Sequence, residues 1–309
     1  MLKFIGKRLL MMIPVLIGIS FIIFAIMSLT PGDPARLILG EYVEDEAIQA
    51  MRDELGLNDP FFQRYFDYMA GLIHGDFGVS WVSDLPVLEE IGSRIPTTLT
   101  LAFIATAIMT IVGVPLGIVS AVKQYSFLDT LCVFSAFILA SVPSFWLGLL
   151  LVLLFSLTLN ILPATGVDSW QNFILPCITL ASVMMASLLR MTRSSMLEVV
   201  RQDYIRTARA KGADEKRVIF HHAIRNALLP VVTLVGLNFG NLMGGTIIIE
   251  NVFAMPGLGT LILNSLYVKN TPVVMGGILF IAVCISIVNL LIDITYSFID
   301  PRVRDRLKG

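Results

Sequence analysis

The sequence predicts an all-α integral membrane protein with six transmembrane helices, and three observations carry that prediction. The 309 residues are 56% hydrophobic and only 15% charged, with a mean hydropathy of +0.82, whereas a soluble domain carries about 25% charged residues. Six segments, roughly 9–29, 97–122, 131–158, 173–193, 228–249 and 275–299, are apolar over the about 20 residues needed to cross a hydrocarbon core. Seventeen of the 22 basic residues fall in alternate connections, an asymmetry of the kind that sets orientation.

The first segment follows Lys3, Lys7 and Arg8 and could pass for a secretory signal. Its 21 residues exceed the usual signal core of about 7–15, and it ends at TPGDP (30–34) without a small-x-small cleavage pattern. An uncleaved first transmembrane helix is therefore expected. All six segments are apolar on every side, as suits helices surrounded by lipid and by one another. Lipid offers the backbone no hydrogen-bond partners, so each span must satisfy its own. No alternating ten-residue pattern suggests a barrel.

The connection 30–96 is too long for a turn. It holds thirteen acidic residues against four basic ones, with apolar pairs at Phe61-Phe62 and Tyr65-Phe66. A small extracytoplasmic subdomain is expected there, with helices near 44–56 and 60–73. The stretch GLIHGDFGVS (71–80) has the Gly and Asp content of a turn-rich segment. The basic residues gather in the N-terminal tip, the 123–129 loop, the 190–226 segment and the tail. Both termini are thus expected in the cytoplasm, as an even number of spans requires. The domain organisation read from this is 1–29, tip and first helix; 30–96, subdomain; 97–299, helical core with a cytoplasmic loop at 194–227; and 300–309, cytoplasmic tail.

Composition also excludes several functions. A net charge of −1 offers no basic surface for nucleic acid. Cys132, Cys177 and Cys284 stand alone in apolar runs, and His74, His221 and His222 lack a ligand partner at metal spacing, so no metal site is expected. No GxxxxGK[ST] motif is present to cradle nucleotide phosphates. Ser120-Ala121-Val122-Lys123 matches SxxK in form, but the lysine marks the end of a span. No catalytic residue and no cofactor follow from these patterns.

The most informative stretch is 191–230, MTRSSMLEVVRQDYIRTARAKGADEKRVIFHHAIRNALLP. Good helix formers occupy about 195–211, and Gly212 stands where a helix end favours φ > 0. Asp214 can cap a second helix that runs through Ala223 and Ala227 into the fifth span. This helix–Gly–helix would present Ala208, Ala210 and Gly212 beside Arg206, Arg209 and Lys211. Small residues there would admit a partner closely and basic ones would orient it; a charged loop that merely fixes topology would show the same pattern.

The segment resembles the cytoplasmic coupling loop of ABC-importer permeases, whose general pattern is Glu-Ala-Ala, three residues, then Gly. Gly212 matches. Arg206-Thr207-Ala208 replaces the Glu-Ala-Ala, and His222-Ala223-Ile224-Arg225 replaces the later Ile-x-Leu-Pro element. The form DYIRTARAKG…HAIRNALLP resembles the variant of the dipeptide/oligopeptide/nickel branch, in its B-type subunit. FIGKRLLMMIPVLIGIS (4–20), TPGDP, ELGLNDP (54–60), HGDFGVS (74–80), SVPSFWLGLLL (141–151), ENVFAMPGLG (250–259) and NLLIDITYSFIDPRVR (289–304) extend the resemblance over nearly the whole chain.

The resemblance implies a MetI-like, type I importer permease fold in a bacterial or archaeal inner membrane. It implies as partners a second, C-type permease, two ATPase subunits and an extracytoplasmic solute-binding protein. ATPase coupling would fall to Asp203, Tyr204, Arg206, Thr207, Ala208, Arg209, Ala210, Lys211 and Gly212, with Arg225 and Asn226 downstream. Family substrates are mainly di- and oligopeptides, with nickel or its complexes, glutathione and some opines as minorities; short peptides are the expected cargo.

Two features of the spans stand beside this reading. Gly236, Gly240 and Gly244 recur every four residues on the fifth span, with Gly245 adjacent. Such a row permits close helix packing, and Asn238 and Asn241 could add a polar path. Asp293 lies in the sixth span, where an ionisable group is a functional candidate, although Arg302 and Arg304 could make it an interfacial ion pair. A secondary transporter would show internally repeated halves, and an intramembrane hydrolase would show a nucleophile with its base. Neither pattern is visible in the sequence.

Overall fold

The computed structural model describes residues 2–40 and 42–299, and its regular structure among them is helical, with one isolated bridge between Val79 and Pro86. Five helices are long and apolar enough to cross a membrane, and a sharply bent pair makes a sixth if counted as one span. Large apolar side chains such as Leu10, Ile22, Ile111 and Leu157 point outward along these helices. Lipid, rather than protein, is their natural solvent.

The chain divides into two units, 2–98 with 256–286, and 99–255 with 287 onward. In the first, α1 (Leu2–Leu29) is followed by the TPGDP turn. Asp33 caps α2 (Pro34–Leu39), accepting from the Ala35 N–H at 3.2 Å, and Pro34 opens the helix where its missing N–H costs nothing. The ammonium of Lys269, a buried residue, donates to the carbonyls of Thr30 and, at 2.8 Å, Gly32. It thereby satisfies acceptors just past the end of α1. α3 (Asp45–Glu54) and α4 (Phe61–Ile73) follow. Phe24 and Tyr65 pack with Met275 in a buried cluster, and the Tyr65 and Ser20 hydroxyls lie 3.0 Å apart.

In the HGDFGVS segment Asp76 accepts from the Gly78 N–H, a side-chain turn. Asn270 then clamps the segment, donating to Ser80 Oγ at 2.9 Å and accepting from the Trp81 N–H at 3.1 Å. α5 (Val87–Val122) begins ten residues before the expected span. Hydropathy marks where a helix enters lipid, whereas Glu89 and Glu90 support its first turn through the helix dipole.

In the second unit, α6 (Phe127–Ser141) and α7 (Ser144–Leu151, continued as a π-helix over Val152–Thr158) meet at 101°. The expected continuous span 131–158 is therefore broken. Pro143 is the cause: it disfavours helical ψ at the preceding residue, and Val142 is extended at φ −85°, ψ 125°. α8 (Ile174–Val200) is the most deeply packed helix, lying against α6, α7 and α11 (Ile224–Val252).

The expected helix over 195–211 is likewise two elements. α8 ends at Val200, Gln202 is extended, and α9 (Asp203–Ala210) starts afresh. α10 (Glu215–Arg217) and a π-turn (Val218–Ala223) lead into α11. Asp214 stands at the head of α10, but its side chain makes no capping hydrogen bond. A short apolar helix that hydropathy did not single out, α12 (Leu258–Tyr267), precedes α13 (Thr271–Ile299). Cys177 is buried, and Cys132 and Cys284 are half-buried.

Candidate functional site

α9 is short, amphipathic and exposed on most of its circumference. Its one fully buried residue, Ile205, enters an apolar core with Met196 of α8, Val218 and Ala223 of the π-turn, Ala227 of α11 and Ala121 of α5. Asp203, Tyr204, Arg206, Thr207, Arg209, Ala210, Lys211 and Gly212 are exposed, while Ala208 is half-buried against the same core. An eight-residue helix is marginal alone, so this core is what holds α9 in place.

The end of α9 is a Schellman turn. The Gly212 N–H bonds the Arg209 carbonyl at 2.9 Å, and the Ala213 N–H bonds that of Ala208 at 3.2 Å. The motif needs a left-handed residue, and Gly212 supplies φ +79°. Across the turn Arg209 grips Glu215 through Nε at 2.6 Å and Nη2 at 3.3 Å. The Asp203–Arg206 contact, at 3.9 Å and fully solvated, adds little. Asn226 donates to the Tyr204 hydroxyl at 2.9 Å, which brings the start of α11 beside α9. Arg225 is exposed on the same turn.

Two further links fasten this segment to the bundle. Ser195 Oγ donates to the Ala227 carbonyl at 2.8 Å, joining α8 to α11. Two residues earlier on α8, Arg193 meets the buried Asp129 of α6 in a fork of 2.7 and 2.9 Å. Asp129 also accepts from Ser120 Oγ of α5 and from the Tyr125 N–H. Three helices thus converge on one carboxylate. Neither Asp129 nor Arg193 stood out in the sequence; a lone acid at the start of one apolar run and a lone base in another were the signals.

The glycine row on α11 does not serve one contact. A Cβ at Gly236 would meet Ile292 of α13 at 2.4 Å, whereas at Gly244 it would meet nothing within 4 Å. Gly240 is buried, Asn238 is buried with its Nδ2 3.9 Å from Met109 Sδ, and Asn241 is exposed. Asp293 is half-buried on α13, and its expected partners Arg302 and Arg304 lie outside the described residues. A close approach to another helix's backbone lies elsewhere: a Cβ at Gly117 of α5 would stand 2.6 Å from Thr192 Cβ and 2.7 Å from the Leu189 carbonyl oxygen. The signal was legible as Gly113-Val-Pro-Leu-Gly117, a GxxxG pair. Among the described residues, no three His, Cys, Asp or Glu side chains group as metal ligands.

Known proteins resemble this chain in sequence and in fold. The family model described as "Binding-protein-dependent transport system inner membrane component" matches residues 113–305, and its N-terminal companion matches 1–102. The glutathione transport system permease protein GsiC of Escherichia coli K12 is 42% identical over 304 residues, spanning 98% of this chain and 99% of that protein. The dipeptide transport system permease protein DppB of Alkalihalophilus pseudofirmus is 42% identical over 332 aligned positions, with 98% and 100% coverage. Among solved structures, a chain of the inward-facing MetNI methionine ABC transporter superposes with a TM-score of 0.57 at 16% identity, covering 69% of this chain and 97% of that one. A chain of an amino acid ABC transporter crystallised with histidines gives 0.51 at 17% identity, covering 69% and 94%. At such identities the likeness concerns the fold, which is the MetI-like type I permease fold.

Proposed function

This chain belongs to the family of inner membrane components of binding-protein-dependent transport systems, in the dipeptide/oligopeptide branch of ABC-importer permeases, and from that premise we propose that it forms half of an ATP-driven pathway for short peptides. Glutathione is itself a tripeptide, so the cargoes named for the two relatives share one chemistry: a short backbone with charged ends. The other half would be a C-type permease. Two ATPase subunits would supply the energy, and a solute-binding protein would deliver cargo from outside. The chain itself would catalyse nothing. Nickel complexes, the alternative cargo of the branch, have no specific observation in their favour here.

The observation that carries the coupling role is the core beneath α9. The exposed face of α9, with Arg206, Arg209, Lys211 and Gly212, is the surface proposed to dock on an ATPase. Its cations would steer and orient an acidic partner. A push on that face meets Ile205, packed in one core with Met196 of α8, Val218 of the π-turn and Ala227 of α11. Close-packed interiors transmit displacement rather than absorb it, so α9 would move α8 and α11 together. In this reading both termini and 194–227 are cytoplasmic and 30–96 faces outward.

Reconstitution tests the proposal. Liposomes holding this chain with a C-type permease, the ATPases and the binding protein should accumulate labelled dipeptide or glutathione only with ATP and all components. Substrate-dependent flux by this chain alone would refute it in favour of a secondary transporter.

A further inference from the structure

A cavity of about 360 Å³ opens where α1 ends and α13 begins, bounded by Met27, Ser28 and Asp33 on one side and by Arg52, Arg64 and Lys269 on the others. The three cations come from α3, α4 and the turn between α12 and α13, and they face a single carboxylate in the wall. Their hydrogen-bonding capacity is only partly used. Arg52 contacts Asp33 through Nε at 3.0 Å, leaving its terminal nitrogens. Lys269 spends two of its three protons on the Thr30 and Gly32 carbonyls. The Arg64 guanidinium lies 5.7 Å from the centre of the Phe24 ring and makes no hydrogen bond among the described residues.

Burial holds the Arg64 guanidinium and the Lys269 ammonium below their ordinary pKa values, with the charges of Asp59 and Asp33, respectively, opposing the shift. Buried and half-buried cations with unused donors are unfavourable unless water or an anion meets them, and an anion also offsets the charge. The position of the cavity suggests which anion. α1 and α13 are both membrane-spanning by length and hydropathy, and the cavity sits at the end of one and the start of the other. That is the level at which hydrocarbon gives way to headgroups, where basic side chains meet phosphate.

We propose that this cavity binds a phosphate group, from an anionic phospholipid headgroup or free in solution, with Arg64 and Arg52 as donors and Lys269 as fixed charge. The planar guanidinium fork matches phosphate oxygens in pairs. At roughly 30 Å³ per water the cavity volume equals about a dozen waters, so a phosphate group fits within it.

The test uses the full chain in detergent, with bound lipid counted by native mass spectrometry and melting followed during titration. The probes are short-chain phosphatidylglycerol, phosphatidylcholine and inorganic phosphate. Phosphatidylglycerol should be retained and should raise the melting temperature. Arg64→Gln and Arg52→Gln should each weaken that response about tenfold, Arg64→Lys should restore part of it, and Arg94→Gln, outside the cavity, should leave it unchanged. Protection by inorganic phosphate as well assigns the site to the anion itself, and protection by phosphatidylglycerol alone assigns it to a headgroup. No response to any probe, or a response unaltered in both glutamine variants while their lipid-free melting matches wild type, overturns the proposal.

Discussion

Gly212 separates the mechanical role of α9 from its mere presence. The residue is exposed, and a Cβ there would touch nothing within 4 Å. A Cβ at this site therefore clashes with nothing, and the cost of substitution lies in holding φ at +79°. For a β-branched residue that cost is about 1–2 kcal/mol, comparable to the roughly 1 kcal/mol net value of each of the two hydrogen bonds in the Schellman turn. Gly212→Val should relieve its strain by unwinding the turn, breaking the Gly212–Arg209 and Ala213–Ala208 bonds and pulling Glu215 away from Arg209. The core at Ile205 is untouched, so insertion and global stability should stay near wild type while α9 loses its fixed angle to α10. Gly212→Asn is the control, because asparagine enters the left-handed region at lower cost. Substrate-stimulated ATPase and uptake should be measured together on the assembled transporter. Valine is expected to uncouple the two and asparagine to retain most coupling. Wild-type coupling with valine, or equal damage from asparagine, would refute the argument that this turn transmits work.

Other substitutions test neighbouring links. Asp129→Ala strands a half-buried Arg193 and should cost about 3 kcal/mol, read as a clear fall in the melting temperature of the detergent-solubilised chain; a change near zero would show that the fork is only apparent. Gly117→Leu forces apart α5 and α8, where even a Cβ would lie 2.6 Å from Thr192. Overpacking of this kind costs about 1–3 kcal/mol, visible in the same melt, and a neutral result would contradict the close approach. Arg209→Glu sets two carboxylates across the Gly212 turn and should lower ATPase stimulation more at low salt than at high salt, since exposed charges are screened; salt-independent loss would point away from electrostatics. For topology, cysteines replacing the exposed Ser83 and Ala210 should be labelled by an impermeant reagent from outside and inside, respectively, and the reverse pattern would invert the proposed orientation.

The sequence by itself determined the elements that answer to lipid. A backbone with no outside hydrogen-bond partner must be helical, and twenty apolar residues must be buried in something, so five spans and the region of the sixth were legible from hydropathy alone. The family was legible too, because short motifs such as TPGDP and DYIRTARAKG combine local turn chemistry that survives as text. Pro143 carried the signal for the bend at 142, but periodicity over 131–158 hid it, since apolar character is the same on either side of a 101° turn. Tertiary structure alone decided which polar residues meet. Arg193 reaches Asp129 across 64 positions, and Lys269 reaches Gly32 across 237. Neither residue differs in its local sequence from an ordinary charge at a span end. A buried ion pair or a capped helix end is a property of two distant segments brought together, and the free energy that selects it arises only once water has been excluded from between them.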